Sequence, residues 1–435
     1  MLDSTLERRD CPSEDDFNYL NLYFSEAAEM CMELEDWSDE VNTKHDASSY
    51  ESCGYEREII SDANVLLDAY NKASQNSSWK PQVQQFENNL LEEIGKLQTE
   101  VRDREYELSP TNDFILNERG KIRLVSGDQI RDRVMKHALC DEILSPETLR
   151  FMIHDNGASQ PGKGIQFTRR RLVTHLQKYY RQYGNKGYIL LIDFTKYFDN
   201  IQHQIFRDML TKIIDNEEAI FVLDQVLKAA RVDVSYMDDE AYSHCMQEVF
   251  NSLKYQEIDR SLLTGEKFMC KHMNIGDQVS QIAGIFYPIA FDNYIKIVRG
   301  MKFYGRYMDD SYILHPDKQY LSELLNELIY RANSLGITIN QRKTRIVPIS
   351  DYWRFLQIQY SLTDTGRVIQ KINPKRLTRM RKHIKKVAKF MTEKEFGDYY
   401  IAWFRSNYKI MSRRQRENMD NWYKSVKEEI YSCTP

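Results

Sequence analysis

This sequence predicts an α+β fold, and three observations carry that expectation. Upstream of residue 108 the apolar residues recur near the 3.6-residue helical period. From Lys121 onward, short β-rich runs alternate with helical stretches. Two of those runs lead directly into aspartates, which places charge at strand ends rather than on a solvated face.

Residues 1 to about 50 are crowded with acids (Glu14-Asp15-Asp16, then Glu33, Glu35, Asp36, Asp39 and Glu40), broken by Phe17, Tyr19 and Trp37. That composition suits a loose acidic tail in which the Phe24–Met32 stretch can form an amphipathic helix. Residues 56–108 read as helices: Ile59, Ile60, Val65, Leu66, Leu67 and Tyr70, then Phe86, Leu90, Leu91, Ile94, Leu97 and Val101, keep the helical spacing. Ser77-Ser78-Trp79-Lys80-Pro81 breaks them. Residues 1–112 thus make an acidic helical extension, closed by Ser109-Pro110-Thr111-Asn112-Asp113.

Strands are expected at Ile122–Val125, Tyr188–Ile192, Phe303–Tyr307, Ser311–Leu314 and Trp353–Tyr360. The 354–369 segment reads as strand, Thr-Asp-Thr-Gly turn, strand. Residues 214–270 read as a long helical insertion in which Asp238-Asp239 is a surface turn. Beyond Pro374 come helices again. Leu377, Met380, Ile384, Val387 and Ala388 form an apolar stripe, and Lys375, Arg376, Arg379, Lys382, Lys385, Lys386 and Lys389 cover the rest of that surface.

The 435 residues allow two to four structural units and a large core, with the 42% hydrophobic and 29% charged composition of a soluble globular protein. No apolar run approaches the ~20 residues a spanning helix needs, which argues against a membrane protein. The N-terminus lacks the apolar core of a signal peptide, so no export is expected. Seven cysteines without a Cys-x-x-Cys pair speak against a zinc knuckle or a disulfide framework and predict a reducing cytoplasm. The net charge of −5 hides an asymmetry: residues 1–120 carry −18, residues 121–340 balance, and residues 341–435 carry +13. A basic C-terminal quarter on an acidic chain points to a polyanion bound locally.

Two segments suggest the chemistry. In Tyr188-Ile-Leu-Leu-Ile-Asp193-Phe-Thr-Lys-Tyr-Phe198 an apolar strand delivers Asp193 at its end. In Phe303-Tyr-Gly-Arg-Tyr307-Met308-Asp309-Asp310-Ser-Tyr-Ile-Leu314 two strand-like runs flank adjacent acids, which therefore sit at a hairpin tip. A lone Asp-Asp is usually a surface turn. Held together against apolar strands, however, like charges are costly unless cations neutralise them. Hard, oxygen-liganded Mg²⁺ is the natural choice. Three carboxylates converging from two strands would clamp two metals ~3.5–4 Å apart, activating a hydroxyl and stabilising a leaving pyrophosphate. Lys121 and Arg123 alternate with Ile122 and Leu124, so both cations fall on one strand face and suit a triphosphate. Gly162 and Gly164 around Lys163 let backbone approach a phosphate or template.

With those motifs in order along about residues 115–430, the chain resembles a reverse transcriptase of the bacterial retroelement-related kind. Lys121-Ile-Arg123 resembles the first fingers motif, and Gly157-Ala-Ser-Gln-Pro-Gly162-Lys163-Gly164 with Arg169–Arg171 the second. Asp193–Asp199 resembles the first catalytic palm motif, Gly276-Asp-Gln-Val-Ser280-Gln281 the palm helix, and Tyr307–Asp310 the Asp-Asp hairpin. Leu335–Thr344 resembles the later palm motif, and Arg354-Phe-Leu-Gln-Ile the primer-grip hairpin. The resemblance implies a right-hand polymerase: fingers at 113–187, palm at 188–350 with the insertion, and primer grip with a basic thumb at 351–435.

The resemblance also implies roles. Asp193, Asp309, Asp310 and the Phe194 backbone carbonyl would hold two Mg²⁺ ions, with Mn²⁺ a possible substitute. Lys343 would protonate pyrophosphate. Lys121, Arg123, Phe198 and Gln281 would meet a deoxynucleoside triphosphate, Phe198 excluding a 2′-hydroxyl. Lys163, Arg169, Arg354, Lys375, Arg379, Lys382 and Lys386 would hold an RNA template and a DNA or RNA primer, without reading sequence. The palm helix has Gly-x-x-x-Ser-Gln where the commoner form is Gln-Gly-x-x-x-Ser-Pro, a variant that resembles the enzymes of diversity-generating retroelements. The extra N-terminal helices suit a domesticated antiphage-defence enzyme with a structured non-coding RNA; a retron-like enzyme is a third setting. Protein-primed or untemplated polymerisation is an alternative reaction, and a non-catalytic RNA-binding scaffold is the rival from another class. An oligomer is compatible with all of these, and no ribonuclease H, integrase or endonuclease domain is expected.

Overall fold

The structure, a computed structural model, describes residues 58–75, 77–118 and 121–431. The acidic clusters before residue 50 and the Phe24–Met32 helix lie outside the described residues. The chain forms two compact units. The first takes its described residues from 1–162, 193–302 and 325–340, and the second from 163–192, 303–324 and 341–435.

The first unit opens with three helices, α1 (Ala63–Ser74), α2 (Pro81–Asn88) and α3 (Leu90–Arg102). Asp62 caps α1 by accepting from the Asn64 and Val65 amides, and Leu66, Ala69, Tyr70 and Ala73 are its buried face. Proline at the first position of α2 makes the expected break after Ser77. The hairpin of β1 (Asn112–Glu118) and β2 (Lys121–Gly127) follows, then α4 (Ile130–Leu139) and α5 (Ser145–Leu149). The extension is built into the unit rather than appended to it. Helix α1 packs on α4, Arg133 donates to the Ala73 carbonyl and to Ser77 Oγ, and Lys72 pairs with Asp141 at 2.9 Å.

Helix α6 (Ile165–Tyr183) and β3 (Tyr188–Ile192) belong to the second unit. The first resumes at β4 (Phe194–Thr195) and continues through α7 (His203–Thr211), α8 (Glu217–Ala229), β5 (Val232–Asp233), α9 (Asp239–Gln247), α10 (Ser252–Tyr255), β6 (Phe268–Met269), α11 (Gln278–Phe286) and α12 (Ile289–Asn293). The 214–270 insertion is not wholly helical: β5 pairs with β6 and closes it around Val232, Val234, Phe250 and Met269. Asp238-Asp239 is a helix start rather than a turn, since Asp238 accepts from the Ala241 amide and caps α9.

In the second unit, β7 (Tyr304–Tyr307) and β8 (Asp310–His315) form a hairpin. The chain then runs along α13 (Lys318–Ser334), whose residues from 325 on belong to the first unit, as does β9 (Thr338–Ile339); back in the second unit, β10 (Arg345–Pro348) joins an antiparallel sheet of order β10-β3-β8-β7. The run expected over Trp353–Tyr360 is two strands, β11 (Trp353–Phe355) and β12 (Ile358–Leu362), which continue through the Thr-Asp-Thr-Gly turn into β13 (Val368–Ile372). Helices α14 (Pro374–Ala388), α15 (Glu393–Asn407) and α16 (Arg413–Tyr431) follow. Asn373 with Pro374 starts α14, and a Thr392/Glu395 capping box starts α15. Leu377, Ile384 and Ala388 are buried, as the stripe predicts. No described helix is long and apolar enough to cross a membrane.

A buried ion trio ties α4 to the start of α11 within the first unit. The Lys136 ammonium on α4 lies 2.9 Å from Asp128 and 2.5 Å from Asp277, with all three side chains almost fully enclosed. Burial pushes the Asp128 carboxyl up, and for Lys136 the two carboxylates outweigh burial and raise its pKa. Removing the cation strands two buried carboxylates. Lys136→Met is expected to cost about 3–5 kcal/mol, read from the urea unfolding midpoint.

Candidate active site

In the second unit the adjacent acids occupy a two-residue turn. Tyr307 pairs with Asp310, and Met308-Asp309 link them. Met308 has φ of 54°, a left-handed conformation that costs a non-glycine residue about 1–3 kcal/mol. Arg306, fully buried, donates to the Met308 carbonyl at 3.1 Å. Asp309 and Asp310 are half-buried. Gly305 faces Tyr312 across the ladder, and Tyr312 hydrogen-bonds His175 Nδ1 at 3.0 Å. Strand β3 lies beside β8 with Ile192 opposite Ser311. Asp193 is the next residue along the chain.

In the first unit the Asp193 carbonyl accepts from the Asn340 amide at 2.8 Å, and Phe194 pairs with Ile339. Antiparallel ladders alternate bonded and non-bonded pairs, so the Phe194 carbonyl is turned away from β9. Phe198 is half-buried, packed edge-on against Tyr197, and its carbonyl accepts from Met273. Of the two residues after it, the sequence marks Asp199 only as the end of the Asp193–Asp199 motif and assigns a role to neither. Asp199 accepts from the Ser252 amide and meets His272 Nδ1, both at 3.2 Å. Burial would raise the Asp199 carboxyl, but the His272 and Ser252 hydrogen bonds outweigh it and hold its pKa below the usual range. Asn200 and Phe250 exchange two hydrogen bonds. The insertion therefore clamps the loop that follows Asp193, a long-range pairing with no local signature.

The nucleotide-facing candidates of this unit are partly gathered. Gly276, at φ of 110°, lies so close to β2 that a Cβ there would meet Val125 at 3.3 Å. Asp277 caps α11 by accepting from Val279 and Ser280. Gln281 is exposed and accepts from Ser159 Oγ at 3.1 Å, which joins the palm helix motif to the Gly157–Gly164 loop. Lys121 opens β2, and Arg123 is half-buried opposite Leu116.

In the second unit Lys163 lies over the Phe167 ring, Lys343 is exposed in the turn before β10, and Arg354 is exposed on β11. Lys375, Arg379, Lys382 and Lys386 are all exposed at i, i+4, i+7 and i+11, one cationic line along α14. Arg169 departs from the expectation that it meets template or primer. It falls on the helical spacing of Ile165, Thr168, Leu172 and Leu176, so it is only 7% exposed, and it donates to the Leu356 carbonyl at 2.7 Å.

Among the described residues no three His, Cys, Asp or Glu side chains are gathered as a ready-made metal cluster. The Asp309–Asp310 turn nevertheless offers two hard oxygen donors. That fits Mg²⁺, which usually takes one or two carboxylates, waters and substrate phosphates rather than an all-protein cage.

Residues 111–360 match the family described as reverse transcriptase (RNA-dependent DNA polymerase). Similar solved structures include apo telomerase from Candida tropicalis, at 12% identity and a TM-score of 0.39, with 60% of this chain and 48% of that one covered. Telomerase from Candida albicans in complex with a telomeric RNA fragment also has 12% identity and a TM-score of 0.39, with 76% of this chain and 60% of that one covered. The chain thus spans about half to three-fifths of their length. No curated protein matches it.

The acidic turn depends on its glycine. A Cβ at position 305 would lie 2.7–2.9 Å from the Tyr312 ring and hydroxyl, which are packed on His175. Gly305→Ala is expected to destabilise the chain by about 1–3 kcal/mol, measured by denaturant unfolding.

Proposed function

This chain belongs to the reverse transcriptase (RNA-dependent DNA polymerase) family, and on that premise we propose that it adds deoxynucleotides to a primer 3′-hydroxyl on an RNA template. The observation that carries the reading is the β3–β8 register. Ile192 sits opposite Ser311, so the residue leading into Asp193 neighbours the strand that begins with Asp310. Asp193, Asp309, Asp310 and the Phe194 carbonyl would hold two divalent ions, Mg²⁺ by donor chemistry, with Mn²⁺ as substitute. When bound, such ions lower the pKa of the attacking hydroxyl and neutralise the departing pyrophosphate.

The protein's own groups do the remaining work. Arg123 and Lys121 supply cations for the triphosphate. Phe198 sets the space beside the sugar, and the Asp199 and Asn200 contacts hold its loop in place. Lys343, exposed on its turn, is the candidate proton donor to pyrophosphate. The cationic line on α14 tracks a phosphate backbone, and Lys163 and Arg354 add template and primer contacts.

For the biological setting we favour antiphage defence with an associated structured RNA, because α1–α3 are tied into α4 beyond what a minimal polymerase requires. The Ser280-Gln281 variant favours a second reading, the diversity-generating kind; a retron-like setting shares the first reading's RNA. Among the described residues the thiols of Cys140, Cys245 and Cys270 are free, which suits a reducing cytoplasm.

Asp309→Asn and Asp310→Asn are each expected to abolish primer extension in the presence of Mg²⁺ while leaving RNA binding intact. Extension at the wild-type rate would remove the assignment. Sequencing the nucleic acid that copurifies from cells is expected to return one structured RNA and its cDNA; a template repeat matching a variable gene would instead select the diversity-generating reading.

A further inference from the structure

Two hairpins of the second unit share a construction. Each turns on a non-glycine residue in the left-handed region, and in each a buried arginine binds the carbonyl of the first such residue. In the β7–β8 hairpin Arg306 binds Met308. In the β11–β12 hairpin Arg169 binds Leu356. The second turn is the more demanding, because Leu356 and Gln357 stand at φ of 45° and 69° in succession. Two left-handed residues in a row make the tight turn that Asn-Gly usually serves, and neither residue here is suited to it.

Arg169 belongs to neither strand. It reaches in from α6, whose Leu172 shares one core with Leu356, with Tyr360 of β12 and with Tyr307, where the acidic turn begins. The hairpins touch directly: the Tyr312 and Phe355 rings meet edge-on with centroids 5.1 Å apart. Burying a guanidinium is costly. A single charge-assisted hydrogen bond to a carbonyl in an otherwise strained turn is a specific return for that cost.

We propose that Arg169 is a positioning residue for primer extension: its guanidinium holds the Leu356–Gln357 turn in its left-handed form and so fixes the β11–β12 hairpin, with Arg354, at the height the primer end requires beside the Asp309–Asp310 turn. This rests on the polymerase reading above. The role is distinct from the template or primer contact expected of this arginine, because a side chain so enclosed acts through the turn and not on nucleic acid.

The test uses the full-length chain, an RNA template with an annealed DNA primer, and Mg²⁺. Single-nucleotide extension gives kcat, and fluorescence anisotropy gives the Kd for the duplex. Arg169→Met is expected to lower kcat on the order of a hundredfold, as misplacement of a reacting end by about 1 Å does, with duplex Kd changed less than about twofold. Arg169→Lys, with one donor group at a different reach, should fall between. The decisive variant is Arg169→Met combined with Gln357→Gly. Glycine adopts that φ without strain, so the combination should recover most of the lost kcat. Recovery is not expected if Arg169 merely fills the core.

Wild-type kcat in Arg169→Met overturns the inference, and so does a folded Arg169→Met that Gln357→Gly fails to restore. Should Arg169→Met not fold, an active double variant supports the clamp and an unfolded one overturns it. A wild-type chain that binds the duplex but extends nothing overturns the polymerase reading, and the inference with it; that arm is separate from every variant.

Discussion

Hydrogen-bond register between β3 and β8 is the constraint on which the acidic turn depends. Side chains alternate along a strand, so a slip of one residue would exchange the two faces of β3, each of which is packed against different neighbours. Ile189 and Leu191 on β3 and Tyr312 and Leu314 on β8 are buried in one core with Trp353, Phe355 and the α6 residues Leu172 and Leu176. That core makes any other register expensive. Asp309 and Asp310 are then held at the end of β8 without being buried, because the apolar residues carry the cost of alignment and the two acids remain half-exposed.

Legibility in the sequence followed the range of the forces involved. Strand β3 was readable to the residue, since five apolar residues ending in aspartate need no partner to be recognised. The α14 stripe was equally plain, and the four cations on its exposed face lie where helical spacing puts them. The break between β11 and β12 was not legible, because Leu-Gln carries none of the usual turn chemistry and its left-handed backbone is imposed by tertiary contacts. Arg169 failed for a related reason. A cation beside a glycine-rich loop suggests phosphate, yet helical spacing placed it on the inward face of α6. Weighing that spacing against its charge would have found it.

The N-terminal helices and the 214–270 segment are joined to the rest of the first unit by polar ties. Glu218 on α8 accepts from the Ile60 amide at 3.1 Å and from Ser61 Oγ at 2.5 Å, so the chain leading into α1 is tied to the helix that opens the insertion. Asp141 gathers Lys72 of α1 and Gln278 of α11. Burial would raise its pKa, but hydrogen bonds from His137, Lys72 and Gln278 outweigh that and bring it down to about 2. Each tie is polar and partly enclosed, hence worth more than a surface ion pair. Together they connect the extension to the cap of the palm helix through fixed contacts rather than through a linker.

Backbone strain in this chain is concentrated where function is expected. Among the described residues, the non-glycine positions with positive φ include Lys196 in the loop after Asp193, Met308 in the acidic turn, and Leu356 with Gln357 in the neighbouring hairpin. Strain of this kind persists only where surrounding contacts over-determine it. Met308 and Leu356 supply those contacts by the same means, a buried guanidinium on the carbonyl of the strained residue. A glycine would have formed either turn without help. An arginine-bound, non-glycine turn costs stability and ties its hairpin to a fixed neighbour, and for β11–β12 that neighbour is α6, whose core holds Tyr312 of the β7–β8 hairpin as well.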